Sequence, residues 1–101
     1  MKHAKLQATD EQISAFCRRW RIAELALFGS VLREDFGPNS DVDVLVLLEP
    51  DVVWDFDDWE TMRNELAGFF GRPVDLVSRR TLRNPFLRHE ILSTRSVLYA
   101  A

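Results

Sequence analysis

Two aspartates, Asp41 and Asp43, open the apolar run Val44-Leu45-Val46-Leu47. Side chains on a strand alternate between faces, so residues two apart point the same way. Paired carboxylates disfavour each other's ionisation, and Asp is disfavoured in strands, so a carboxylate at the start of a buried strand has a reason. A hard divalent cation supplies one, since Mg²⁺ typically takes one or two carboxylates together with substrate phosphates. Upstream, Gly29-Ser30 follows the apolar Leu25, Leu27 and Phe28, where a strand gives way to a helix. A helix N-terminus offers backbone N–H groups and a positive dipole end, both suited to phosphate. Ser30 equally suits a helix cap. A phosphate cradle beside a metal-holding pair suggests nucleoside-triphosphate chemistry. A third carboxylate, Asp75, interrupts the apolar Val74–Val77. It suits the solvent face of an edge strand as well as it suits the same site.

The elements that position these residues follow from periodicity and turn chemistry. Thr9 and Gln12 form a capping-box pattern, and Ile13, Phe16, Cys17 and Trp20 continue it as a helical stripe. Cys17 reads as a small core residue. The first strand ends at Phe28, and a short helix is expected from Ser30 to about Asp35, with Arg33 one turn in. Arg33 suits a surface ion pair as well as a phosphate contact. Phe36-Gly37-Pro38-Asn39-Ser40 is a turn that returns the chain to Asp41. From about Asp57, Trp59, Met62, Leu66, Phe69 and Phe70 mark a helix stopped by Gly71 and Pro73. The aspartates before it read as a solvated helix entry. Trp54 and Phe56 fit either the core or a partner surface. Arg79, Arg80, Arg83 and Arg88 read by default as a solvated basic face. Asn84-Pro85 reads as a cap and first turn, and Val97-Leu98-Tyr99 as a last short strand or packed tail. Helices alternating with strands give an α/β (α+β) domain, a small mixed β-sheet backed by helices.

The chain has 101 residues, which suits one domain spanning 1–101 and not two. Its net charge of −3 is not the basic footprint expected of a nucleic-acid binder. A single cysteine permits no internal disulfide, and the N-terminus lacks the apolar core of a signal peptide. The lone cysteine fits a reducing cytoplasm, the expected location, and no stretch approaches a membrane span.

Gly29-Ser30, ten residues, then Asp41-Val42-Asp43, with apolar runs on both sides and Asp75 downstream, resembles the signature of the minimal nucleotidyltransferases of the DNA polymerase beta-like superfamily. The resemblance covers nearly the whole chain. It implies the nucleotidyltransferase fold, with Asp41, Asp43 and Asp75 as catalytic and Mg²⁺-holding residues and Gly29, Ser30 and Arg33 as nucleotide-binding ones. It implies two Mg²⁺ ions and ATP or another nucleoside triphosphate as substrate. Transfer of a nucleoside monophosphate to a hydroxyl follows, with Asp75 completing the second metal site or serving as base. Members resembling this chain often act as antitoxins beside a helical HEPN-type toxin and adenylylate one of its tyrosines. The implied partner is therefore a HEPN-type protein, and self-association is left open. Two other readings stand beside this one: a binding module that neutralises a partner by contact, and an RNA-tailing enzyme, against which the acidic balance speaks.

Overall fold

The structure, a computed structural model, describes residues 8–29 and 41–101. The expected helix over 30–35 and the turn at 36–40 lie outside the described residues.

Thr9 starts the first helix, α1 (Asp10–Trp20), through the expected box: its Oγ1 accepts from Gln12 N at 3.1 Å, and its own N–H donates to Gln12 Oε1 at 2.9 Å. The chain then forms β1 (Ile22–Phe28), β2 (Val42–Leu48), α2 (Phe56–Phe70), β3 (Val74–Ser78), α3 (Pro85–Thr94) and β4 (Ser96–Ala100). A single 3₁₀ turn over Arg79–Thr81 links β3 towards α3. The acidic entry to α2 is itself a capping box, with Asp55 and Asp58 exchanging backbone N–H bonds. Gly71 ends that helix in the left-handed conformation, as the Gly-x-Pro stop requires.

The strands form one mixed sheet in the order β3-β2-β1-β4. β1 pairs antiparallel with β2 and β4, whereas β2 and β3 are parallel. A parallel pair needs a crossover, and α2 supplies it. The strand alternation separates two cores. On one face Ile13, Phe16 and Cys17 of α1 and Met62, Leu66 and Phe70 of α2 bury Leu25, Leu27, Val42, Val44 and Val46. On the other, Ile91 of α3 packs on Ala26 and Leu45, with Phe28, Val77 and Leu92 around them. The side chains at 43, 45 and 47 of β2 and at 75 and 77 of β3 therefore share the α3 face.

Trp54 belongs to the core margin: its ring meets Trp20 and Trp59 edge-on, with centroids 5.4 and 5.1 Å apart. Phe56 remains exposed. Val97-Leu98-Tyr99 is a strand, the sheet's other edge, with Leu98 and Tyr99 packed on the larger core.

Candidate active site

The candidate residues gather where β1 ends and β2 and β3 begin. Phe28, the last residue of β1, stands opposite Asp43. Gly29 then turns the chain with φ of +72°. A Cβ placed on Gly29 would lie 2.3 Å from Asp43 Oδ2 and 3.2 Å from its Cγ. The backbone at 29 thus lies directly against the carboxylate. Glycine is required there twice, once by conformation and once by proximity.

The parallel register sets Asp43 beside Asp75, as it sets Val42 beside Val74 and Val44 beside Leu76. Val42 N–H donates to the Pro73 carbonyl at 2.9 Å and fixes this register at the point where both strands enter the sheet. Neighbouring strands run about 4.8 Å apart, so the two carboxylates issue from adjacent positions on one face. Asp43 is half-buried and Asp75 is exposed. Asp41 sits just before β2, exposed, two residues from Asp43. Like charges at directly opposed sheet positions are destabilising in themselves, and a divalent cation relieves that repulsion.

Among the described residues, no group of three or more His, Cys, Asp or Glu side chains is close enough to hold a metal ion. The three aspartates share a region without forming one three-ligand set. The donor chemistry still fits Mg²⁺, which takes hard oxygens and needs only one or two carboxylates when substrate phosphates complete the shell. The close approach of Gly29 adds to the fit, because it leaves room for the carboxylate of Asp43, the one half-buried aspartate of the three, at the end of β1. Ser30 and Arg33 lie outside the described residues. Gly29, expected as a phosphate contact, also acts as the surface against which Asp43 rests, a role that no local sequence signal marks.

Helix α3 covers the same sheet face, where its Ile91 packs on Ala26 and Leu45. Asn84 Oδ1 accepts from Phe86 N (3.0 Å) and Leu87 N (3.2 Å), and Pro85 occupies the first turn. The C-terminal end of α3 is tied to β1 through Arg95, whose Nε reaches Glu24 Oε2 at 2.7 Å. His89 is exposed.

The chain is similar to known proteins in sequence and in fold. Residues 9–98 match the family model described as a nucleotidyltransferase domain. A candidate protein adenylyltransferase of Methanocaldococcus jannaschii is 30% identical over 74 residues, covering 72% of this chain and 72% of that protein. A second from the same organism is 26% identical over 73 residues, covering 72% and 73%. A solved structure of a candidate minimal nucleotidyltransferase superposes with a TM-score of 0.69 at 32% identity, covering 85% of each chain. A toxin–antitoxin structure with AMP-PNP gives a TM-score of 0.71 at 23% identity, covering 92% of this chain and 74% of that one. At that identity the likeness is one of fold.

Proposed function

The chain belongs to the nucleotidyltransferase domain family, and on that premise we propose that it transfers AMP from ATP to a hydroxyl of a protein partner, as the antitoxin half of a toxin–antitoxin pair. The observation that carries the reading is the in-register placement of Asp43 and Asp75 on one sheet face, with Gly29 closed against Asp43. The adenylyl group and the protein acceptor are supported by the relatives described as protein adenylyltransferases. The partner is supported by the fold neighbours that are toxin–antitoxin complexes, one of them with a HEPN toxin described as tri-AMPylated. A tyrosine of a HEPN-type partner is the acceptor we assign.

In this reading the acceptor oxygen forms a bond to the α-phosphorus, the bond from that phosphorus to the bridging oxygen breaks, and pyrophosphate leaves with the electron pair. Such transfer depends on positioning and charge neutralisation more than on covalent help from the protein. Asp41 and Asp43 would hold Mg²⁺, with Asp75 contributing to a second ion. Bound Mg²⁺ supplies neutralisation of the triphosphate and a lowered pKa for the acceptor hydroxyl. Gly29, lacking a Cβ, would leave the Asp43 carboxylate room at the end of β1. Ser30 and Arg33 would meet the phosphates. Asp75, beside Asp43 and open to solvent, would accept the acceptor's proton directly if one ion suffices.

The test is incubation with ATP labelled at the α- or the γ-phosphate, Mg²⁺ and a purified HEPN-type protein. Label from the α position alone should appear on the partner, and Asp43→Asn should abolish it. Transfer of γ-label, or full transfer by Asp43→Asn, would overturn the proposal. Neutralisation by contact is the second reading, favoured by the exposed Val53, Phe56 and Phe86. It predicts that Asp41→Asn/Asp43→Asn still neutralises the partner completely.

A further inference from the structure

On the sheet face that carries the aspartates, an open pocket of ≈ 400 Å³ is lined by Leu47, Arg79, Arg80 and Arg88. Leu47 stands four residues beyond Asp43 and Arg79 four beyond Asp75, which puts the pocket about 13 Å along the strands from the carboxylates. Between the two, Ala26 and Leu45 are buried beneath Ile91 of α3, with Val77 packed against them. The pocket and the candidate active site are therefore separate places on one face.

The three guanidiniums are anchored largely on neutral acceptors. Arg80 Nη2 donates to the carbonyls of Leu48 (2.9 Å) and Glu49 (3.1 Å). Arg88 Nη1 donates to the carbonyl of Arg79 at 3.0 Å. Arg79 Nη1 reaches Glu24 Oε1 at 3.4 Å, but that carboxylate is shared with Arg95. Among the described residues, neither Arg80 nor Arg88 makes an ion pair. A guanidinium has five N–H donors and cannot lose its charge. Bonding one edge to a carbonyl therefore fixes its orientation and leaves charge and donors for a ligand. In a chain of net charge −3, this gathers three arginines at one pocket, of which only Arg79 meets a carboxylate, that of Glu24, already paired with Arg95.

We propose that this pocket is a second ligand site, which takes a phosphate group of a small anion. Planar guanidinium forks match phosphate oxygens two at a time. Three forks around one pocket also outnumber the two oxygens of a carboxylate, whereas a phosphate offers at least three. The proposal does not depend on the reading of the aspartates.

Inorganic pyrophosphate is the probe, titrated calorimetrically into the full chain in metal-free, low-salt buffer, where the aspartates do not attract an anion. One-site binding is expected. Arg88→Gln should weaken it about tenfold or more, the usual scale for a charged hydrogen bond, and Asp43→Asn should leave it intact. Because Arg80 also secures the end of β2, the second variant is Arg88→Lys, which keeps the charge and gives up the fork. At an unchanged Tm it should still bind more weakly than the parent. Four results would each overturn the proposal: no binding of pyrophosphate by the parent protein, binding lost in Asp43→Asn, binding retained in Arg88→Gln, or equal binding of a tetraglutamate peptide. The last would mark the pocket as a reader of acidic peptides.

Discussion

Replacing Gly29 by alanine separates the geometry of the site from the stability of the fold. Two effects act together. The φ of +72° is costly for a residue with a Cβ, by about 1–2 kcal/mol. The new methyl would also sit 2.3 Å from Asp43 Oδ2, while ordinary contact begins at 3.4 Å, so the carboxylate must recede by 1.1 Å or the strand ends must part. Stability should fall by about 1–2 kcal/mol, a drop of roughly 5–15 °C in Tm for a chain of this size. Displacing a group that orients a metal ligand costs about 10–100-fold in metal affinity, and Mg²⁺-dependent ATP binding should weaken on that scale.

Gly68→Ala is the matched control. That glycine is exposed on α2, and a Cβ there meets nothing within 4 Å. Removing glycine from a helix interior should stabilise by about 0.5–1 kcal/mol. Gly68 lies on the outer surface of α2 and Gly29 against the carboxylate on the opposite face, so the two effects should add. The double variant should recover much of the lost Tm and none of the lost binding. Thermal unfolding and calorimetric titration of Mg·ATP, on parent, single and double variants, provide both readouts. If Gly29→Ala binds Mg·ATP as the parent does, or if the double variant regains binding as it regains Tm, the account of Asp43 is wrong.

Two further predictions concern the scaffold. Burial pushes the Cys17 thiol up to about 12, partly opposed by the Arg18 charge, against 9.0 for an ordinary thiol. Below pH 9 both folded and unfolded chains keep the proton. Above it only the unfolded chain loses it, so the folded state forfeits stability as pH rises from 9 towards 12, by up to about 4 kcal/mol from this group. Urea unfolding across that range checks it against Cys17→Ala, which should lose the part of the slope due to this group; the native thiol should also resist iodoacetamide at pH 8 until urea is added. Asn84→Ala removes the acceptor for two backbone N–H groups of α3, and should cost about 1 kcal/mol, whereas Asn84→Asp, which keeps the acceptor, should cost much less; Tm values of the two variants measure the difference.

The sequence carries the elements more fully than it carries their meeting points. Both capping boxes are local: Thr9 and Gln12 were readable, and Asp55 and Asp58, three apart, were equally so although they read as generic helix-entry charge. Leu25–Phe28 and Val42–Leu48 read as apolar runs, as strands covered on both faces do, and both faces are covered. What alternation leaves open is which strands become neighbours. Whether Asp75 is a solvent-facing residue on an edge or a partner of Asp43 depends on the parallel pairing of β2 with β3, which α2 makes across some thirty residues of chain. Both descriptions prove true together: β3 is the edge, and Asp75 is exposed beside Asp43.

The arginines differ for the same reason. A run of basic residues after a strand has no local feature that separates a solvated face from a built pocket. The difference lies in acceptors contributed from elsewhere, the end of β2 for Arg80 and the 3₁₀ turn for Arg88. Gly29 is the sharpest case. Its left-handed turn is typical of glycine in any loop, but the 2.3 Å approach that forbids a methyl comes from a residue fourteen positions later. Local chemistry thus announced which residues were available at the site. Long-range register decided which of them touch, and a substitution at Gly29 tests that register more directly than removing any of the aspartates, because it leaves every carboxylate in place.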